Sequence, residues 1–156
     1  MSPEAGTVHD TDSGDLVRRV RVNRQGIYDA RRQLVAYRGF FAVSAAGSVP
    51  SPRAADGDLL PPSTQAVAAA FGTFGVDTLT DGKPLFARLP RPFVTGIVPV
   101  PADPGALVLD LGPHTFADAE LLAGLTRLRR EGYRVAVADH SGDPTRAALA
   151  EVADFV

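Results

Sequence analysis

The chain has 156 residues, 45% of them hydrophobic, enough for about one domain with a buried core. Sixteen basic residues against eighteen acidic ones give a formal charge of −2, with a sequence pI near 5.9, so no basic face is advertised for nucleic acid or a membrane surface. There is no cysteine, which excludes disulfides and thiolate metal sites, and no apolar run approaches the ~20 residues that span a bilayer.

Residues 1–15 are rich in Ser, Thr, Asp, Glu and Gly and read as a disordered tail. They lack the basic-then-apolar order of a signal peptide, so the expected compartment is the cytoplasm. Residues 16–23 lead in, with arginines at 18, 19 and 21. Residues 24–29 and 34–43 read as two strands around a polar turn, a hairpin. Tyr37, Phe40 and Phe41 supply its bulk, as core rather than as a platform for stacking bases. Residues 44–62 form a loop dense in Pro, Gly, Ser and Ala. Ser63 then caps a helix to Phe74, with Val67, Ala70, Phe71 and Phe74 as its apolar stripe and Gly75 as its end. Residues 76–82 read as a connection whose Asp81-Gly82 is a turn; the spacing of a Gly-rich phosphate loop is missing there. A strand follows at 84–89, and one helical turn at 90–96.

Leu107 to His140 is the most clearly punctuated stretch. Leu107-Val108-Leu109-Asp110-Leu111 and Tyr133 to His140 are strands with little alternation, which suits a parallel sheet buried on both faces. Thr115 or Asp118 caps the intervening helix. Leu121, Leu122, Leu125 and Leu128 give its stripe, three arginines fill its last turn, and Gly132 ends it. Asp143-Pro144 opens a last helix, and residues 154–156 look like a strand starting. The expectation is an α/β fold of strands alternating with helices. Asp110 and Asp139 fall at the carboxyl ends of parallel strands, where active sites of such folds sit.

The order of these pieces resembles the EAL domain, the bacterial barrel that hydrolyses cyclic di-GMP, and more narrowly the EAL half of EAL–HDOD signalling proteins. Arg24-Gln25-Gly26-Ile27-Tyr28-Asp29 is similar to that group's "RQPIFD". Residues 34–42 (LVAYRGFFA) fall where it has "VVGYELLFR". Residues 79–89 (LTDGKPLFARL) are similar to "LTGGKPAFVNL", and 127–139 (RLRREGYRVAVAD) to "RLRAAGYRLALDD". The resemblance covers residues 22–156 in unbroken order. It implies a partial TIM-barrel-like, EAL-type sheet, mostly parallel, with the first two strands antiparallel, in a shortened domain over residues 16–156.

The departures bear on function. In active members the name-giving glutamate binds metal; here Arg38 stands there. Arg88 replaces the metal-binding asparagine, Asp110 the next glutamate, and Ala138 the first of paired aspartates, leaving Asp139. The chain also stops before the lysine and later glutamate of active members. Two-metal hydrolysis needs several carboxylates, whereas arginine stays protonated and repels the cations. The expectation is therefore an inactive relative with no cofactor, Mg or Mn entering only if hydrolysis survives. It would work through protein contacts, or self-association through an exposed sheet edge near residues 134–139. Two readings of the arginines stay open. In the favoured one, Arg88 pairs with Asp110 and fills the space of the metals. In the other, Arg38 and Arg88, with Asp110 and Asp139, hold cyclic di-GMP or another nucleotide without metal.

His9, His114 and His140 are too dispersed for a metal site. Ser141-Gly142-Asp143 reads as an ordinary cap before it reads as a phosphate cradle.

Overall fold

The computed structural model describes residues 19–44, 62–112, 115–138 and 144–156. The expected tail at 1–15, the loop at 45–61, the three histidines, Asp139 and Ser141-Gly142-Asp143 lie outside the described residues, as does the Ser63 side chain.

Five strands form one sheet in the order β1-β2-β3-β4-β5. They are β1 (Arg19–Tyr28), β2 (Leu34–Ser44), β3 (Leu85–Ala87), β4 (Leu107–Leu111) and β5 (Arg134–Val137). β1 and β2 are antiparallel; every later pair is parallel. Between the strands run α1 (Pro62–Phe74), α2 (Val76–Thr80), α3 (Arg91–Thr95) and α4 (Ala119–Arg130), and α5 (Pro144–Glu151) follows β5.

β1 starts earlier than expected. Arg19-Val20-Arg21-Val22 alternates at the strand period, and Val22 packs against the core. The turn to β2 is an Asx arrangement: Asp29 Oδ1 accepts from the Arg31 and Gln33 N–H groups at 2.8 and 2.9 Å. The segment after Gly75 is helical, where a plain connection was expected. Gly75 leaves the α1 path at φ 69°, and buried Val76 and Thr80 then hold α2, with Thr80 Oγ1 donating to the Val76 carbonyl at 3.0 Å. Asp81-Gly82 is a tight turn with both residues left-handed, closed by Lys83 N–H to Thr80 O at 3.0 Å.

The core explains the patterning. Leu85 and Ala87, Leu107, Leu109 and Leu111, and Val135 and Val137 present one face of the sheet to Val67, Phe71, Leu121, Leu125, Leu128 and Leu149. Tyr37 and Phe41 join them, with the Phe41 and Phe71 ring centroids 5.3 Å apart. Phe40 points to the other face and is half exposed, so alternation splits the aromatic group expected to be core. All five residues of β4 are buried, as its unbroken apolar run required.

Asp118, rather than Thr115, caps α4: its Oδ1 accepts from Leu121 N–H at 2.8 Å. The Arg91 guanidinium holds the Asp118 carboxyl below its ordinary range, helped by that backbone bond. The buried stripe of α4 is Leu121, Gly124, Leu125 and Leu128; Leu122 lies beside it. Gly124 is there because α3 comes too close for a side chain: a Cβ would sit 2.2 Å from the Val94 carbonyl oxygen. Gly132 takes φ 98° after the helix, as its position implied.

The outer edge of β5, expected to be free, is taken by the chain itself. Val137 N–H donates to Phe155 O at 2.9 Å, Asp154 N–H to Val135 O at 2.7 Å, and Val135 N–H to Asp154 Oδ2 at 2.8 Å. Ala136 and Phe155 form a parallel bridge, so the strand expected to start at 154–156 is one pairing long.

Candidate site at the carboxyl ends of the strands

Three charged side chains from three consecutive strands meet where the parallel strands end. Arg38 on β2, Arg88 just past β3 and Asp110 on β4 share the sheet face opposite the helix-packed core, since Arg38 is in register with Phe86 and Phe86 with Val108. Asp110 is buried, its side chain only 3% exposed. A carboxylate there needs a cation.

The expected cation was Arg88; the structure gives Arg38. Its Nε lies 3.3 Å from Asp110 Oδ2, a charge contact without the alignment of a hydrogen bond. The reason is geometric. Strand side chains lean along the strand, and Arg38 starts two residues below the level of Asp110, so its length brings it up to the carboxylate. Arg88 starts level with Asp110 and overshoots. Its guanidinium lies over Gly112, where a Cβ would stand 2.7 Å from Arg88 Cζ. Among the described residues Arg88 makes no hydrogen bond or ion pair. Asp110 Oδ1 is buried and has no hydrogen-bond partner.

A cavity of about 480 Å3 opens beside these groups, walled by Phe41, Val67, Leu89 and Pro90 and reaching Arg38, Arg88 and Asp110. A second, about 700 Å3, lies on the other side of the Arg38–Asp110 pair. Phe86, Ala136, Ala138 and Phe155 border it, and the Phe86 and Phe155 ring centroids are 5.5 Å apart. Ala138 contributes only a methyl group to it.

Sequence reasoning missed Arg146. This buried side chain of α5 donates from Nη2 to the carbonyls of Gly112 at 3.2 Å and Ala138 at 3.1 Å, the residues that follow β4 and β5. It ties the two strand ends together and fixes the floor on which Arg88 rests. The available signal was its spacing of three from Leu149, which puts both on one helix face. Among the described residues no group of three His, Cys, Asp or Glu side chains is placed to hold a metal ion.

The chain is similar to a protein of Bacillus subtilis strain 168, YuxH, described as uncharacterized. The two are 28% identical over 121 residues. The match takes in 78% of this chain and 28% of the relative's length, so this chain spans less than a third of the protein it resembles. No family model matches the chain, and no solved structure matches it.

Proposed function

We propose that this chain is a catalytically inactive EAL-like domain, a partial TIM-barrel-like sheet that acts in bacterial signalling through protein contacts. The observation that carries the reading is the Arg38–Asp110 pair. At the position where an active relative holds a metal-binding glutamate, a guanidinium lies 3.3 Å from the buried carboxylate. A fixed positive charge there competes with any cation for Asp110, and arginine offers no lone pair to a metal. Apolar surface supports the contact role: Phe40 is 50% exposed and Phe116 74%. Among the described residues no helix is long and apolar enough to cross a membrane, and with the absence of cysteine this supports work in the cytoplasm. Purified chain incubated with cyclic di-GMP and Mg or Mn is expected to release no linear product. Metal-dependent turnover lost in Asp110→Ala would overturn the reading.

Arg88, without a partner among the described residues and beside a 480 Å3 cavity, favours a second reading, a metal-free receptor for cyclic di-GMP or another nucleotide. A ligand that binds only the folded state raises the melting midpoint. A cyclic di-GMP-dependent rise that disappears in Arg88→Ala supports the receptor; an unmoved midpoint leaves the protein-contact reading alone.

A further inference from the structure

We propose that the cavity between β2, β3 and α1 is a binding site for a small apolar 2-hydroxy carboxylate. The proposal rests on the reading that Asp110 serves as no metal ligand.

Three observations define the ligand. The first is charge. Arg38 neutralises Asp110 at 3.3 Å, so the positive charge left over at the cavity is that of Arg88, whose fork of N–H groups has no partner among the described residues. A planar guanidinium matches a carboxylate bidentately. The second is the orphan Asp110 Oδ1, a buried acceptor on a residue of the cavity wall. A buried acceptor without a donor is costly, and a ligand hydroxyl relieves it once the Asp110 carboxylate turns toward the cavity. A hydroxyl rather than an ammonium fits the count, because the ligand then remains a monoanion against the single excess cation that the described residues place there. The third is the wall. Phe41, Val67 and Leu89 line the remainder, and a volume of about 480 Å3 accommodates a ring-sized apolar body. Gly112 completes the arrangement, since any larger residue would collide with the Arg88 guanidinium where it now rests.

The test is isothermal titration of the full chain with three matched probes. They are 3-phenyllactate, 3-phenylpropionate, which lacks the hydroxyl, and 3-phenyl-1,2-propanediol, which lacks the anion. 3-Phenyllactate is expected to bind, and each comparator to bind about 10- to 100-fold more weakly, the worth of one hydrogen bond to a charged group. Arg88→Ala, an exposed position, is expected to weaken 3-phenyllactate by a similar factor. Absence of 3-phenyllactate binding overturns the proposal. So does equal affinity for 3-phenylpropionate, or an Arg88→Ala variant that binds as well as the parent. Metal-dependent hydrolysis of cyclic di-GMP by the same preparation sinks the underlying reading of Asp110. Its absence together with no 3-phenyllactate binding sinks the ligand assignment alone.

Discussion

Arg38 and Arg88 occupy one face of neighbouring strands, yet only Arg38 meets Asp110. That asymmetry makes the two arginines separable by mutation. Removing Arg38 strands a buried carboxylate, so Arg38→Ala is expected to cost about 1–3 kcal/mol of stability. Arg88 is exposed and makes no ion pair among the described residues, so Arg88→Ala is expected to change stability by less than about 0.5 kcal/mol. Urea denaturation of the two variants checks this; equal losses would mean that the charges are shared. That Asp110 falls at the carboxyl end of a parallel strand was legible in the sequence. Which arginine pairs was not, because it depends on the strand register, which starts Arg88 level with Asp110 and Arg38 two residues below it. Phe40 shows the same limit. Three aromatics close together in a strand read as bulk, and only the alternation of a placed strand turns one of them outward.

Among the elements, α4 shows how caps and close approaches decide geometry. Gly124→Ala puts a Cβ 2.2 Å from a backbone oxygen of α3, which cannot rotate away as a side chain would. The helices must part, and the substitution is expected to destabilise by about 3 kcal/mol although alanine is the better helix former. A melt that rises with Gly124→Ala would refute the close packing of α3 on α4. The cap of α4 titrates. Asp118 is held below its ordinary value of 3.8, first by the Arg91 side chain and then by Leu121 N–H. Its folded pKa is the lower one, so its stabilisation is present above the ordinary value and is lost as the pH falls through the lowered one. The stability difference between the parent and Asp118→Asn is therefore expected to be constant near neutrality and to shrink only below about pH 3.8. A difference that shrinks between pH 5 and 7 would assign it to another group. The Leu stripe and Gly132 were readable from period and position. Gly124 was not, because a glycine inside a helix acquires its meaning from the neighbour it admits.

At the scale of the whole molecule, the net charge of −2 conceals a division. Residues 19–44 hold six arginines and one aspartate, +5, leaving −7 for the remainder. The hairpin is thus the basic part of the chain, and charged residues on an edge strand such as β1 disfavour pairing with other chains. The opposite edge is guarded by the chain itself. Asp154 holds the Val135 amide with one carboxylate oxygen and Arg129, at 3.0 Å, with the other. Asp154→Ala is expected to speed hydrogen exchange at the Val135 amide about 10- to 100-fold, the loss of one charged acceptor. It is also expected to promote association through β5, seen as a concentration-dependent mass by light scattering. Unchanged exchange would show that the Phe155 bridge suffices without the carboxylate.

The sequence by itself determined the α/β class, the hairpin opening, the strand at 107–111, the arginine-rich helix and the place of the charged site. These follow from periodicity, caps and turn residues, which act within a few positions along the chain. The tertiary structure alone decided that Arg38 neutralises Asp110, that Arg146 ties two strand ends, that Gly124 admits α3, and that Asp154 and Phe155 close the edge of β5. Most of these contacts join residues far apart in the chain: Arg146 and Gly112 are 34 positions apart, Asp154 and Val135 19. Such contacts depend on strand register and helix approach, quantities that no local pattern contains.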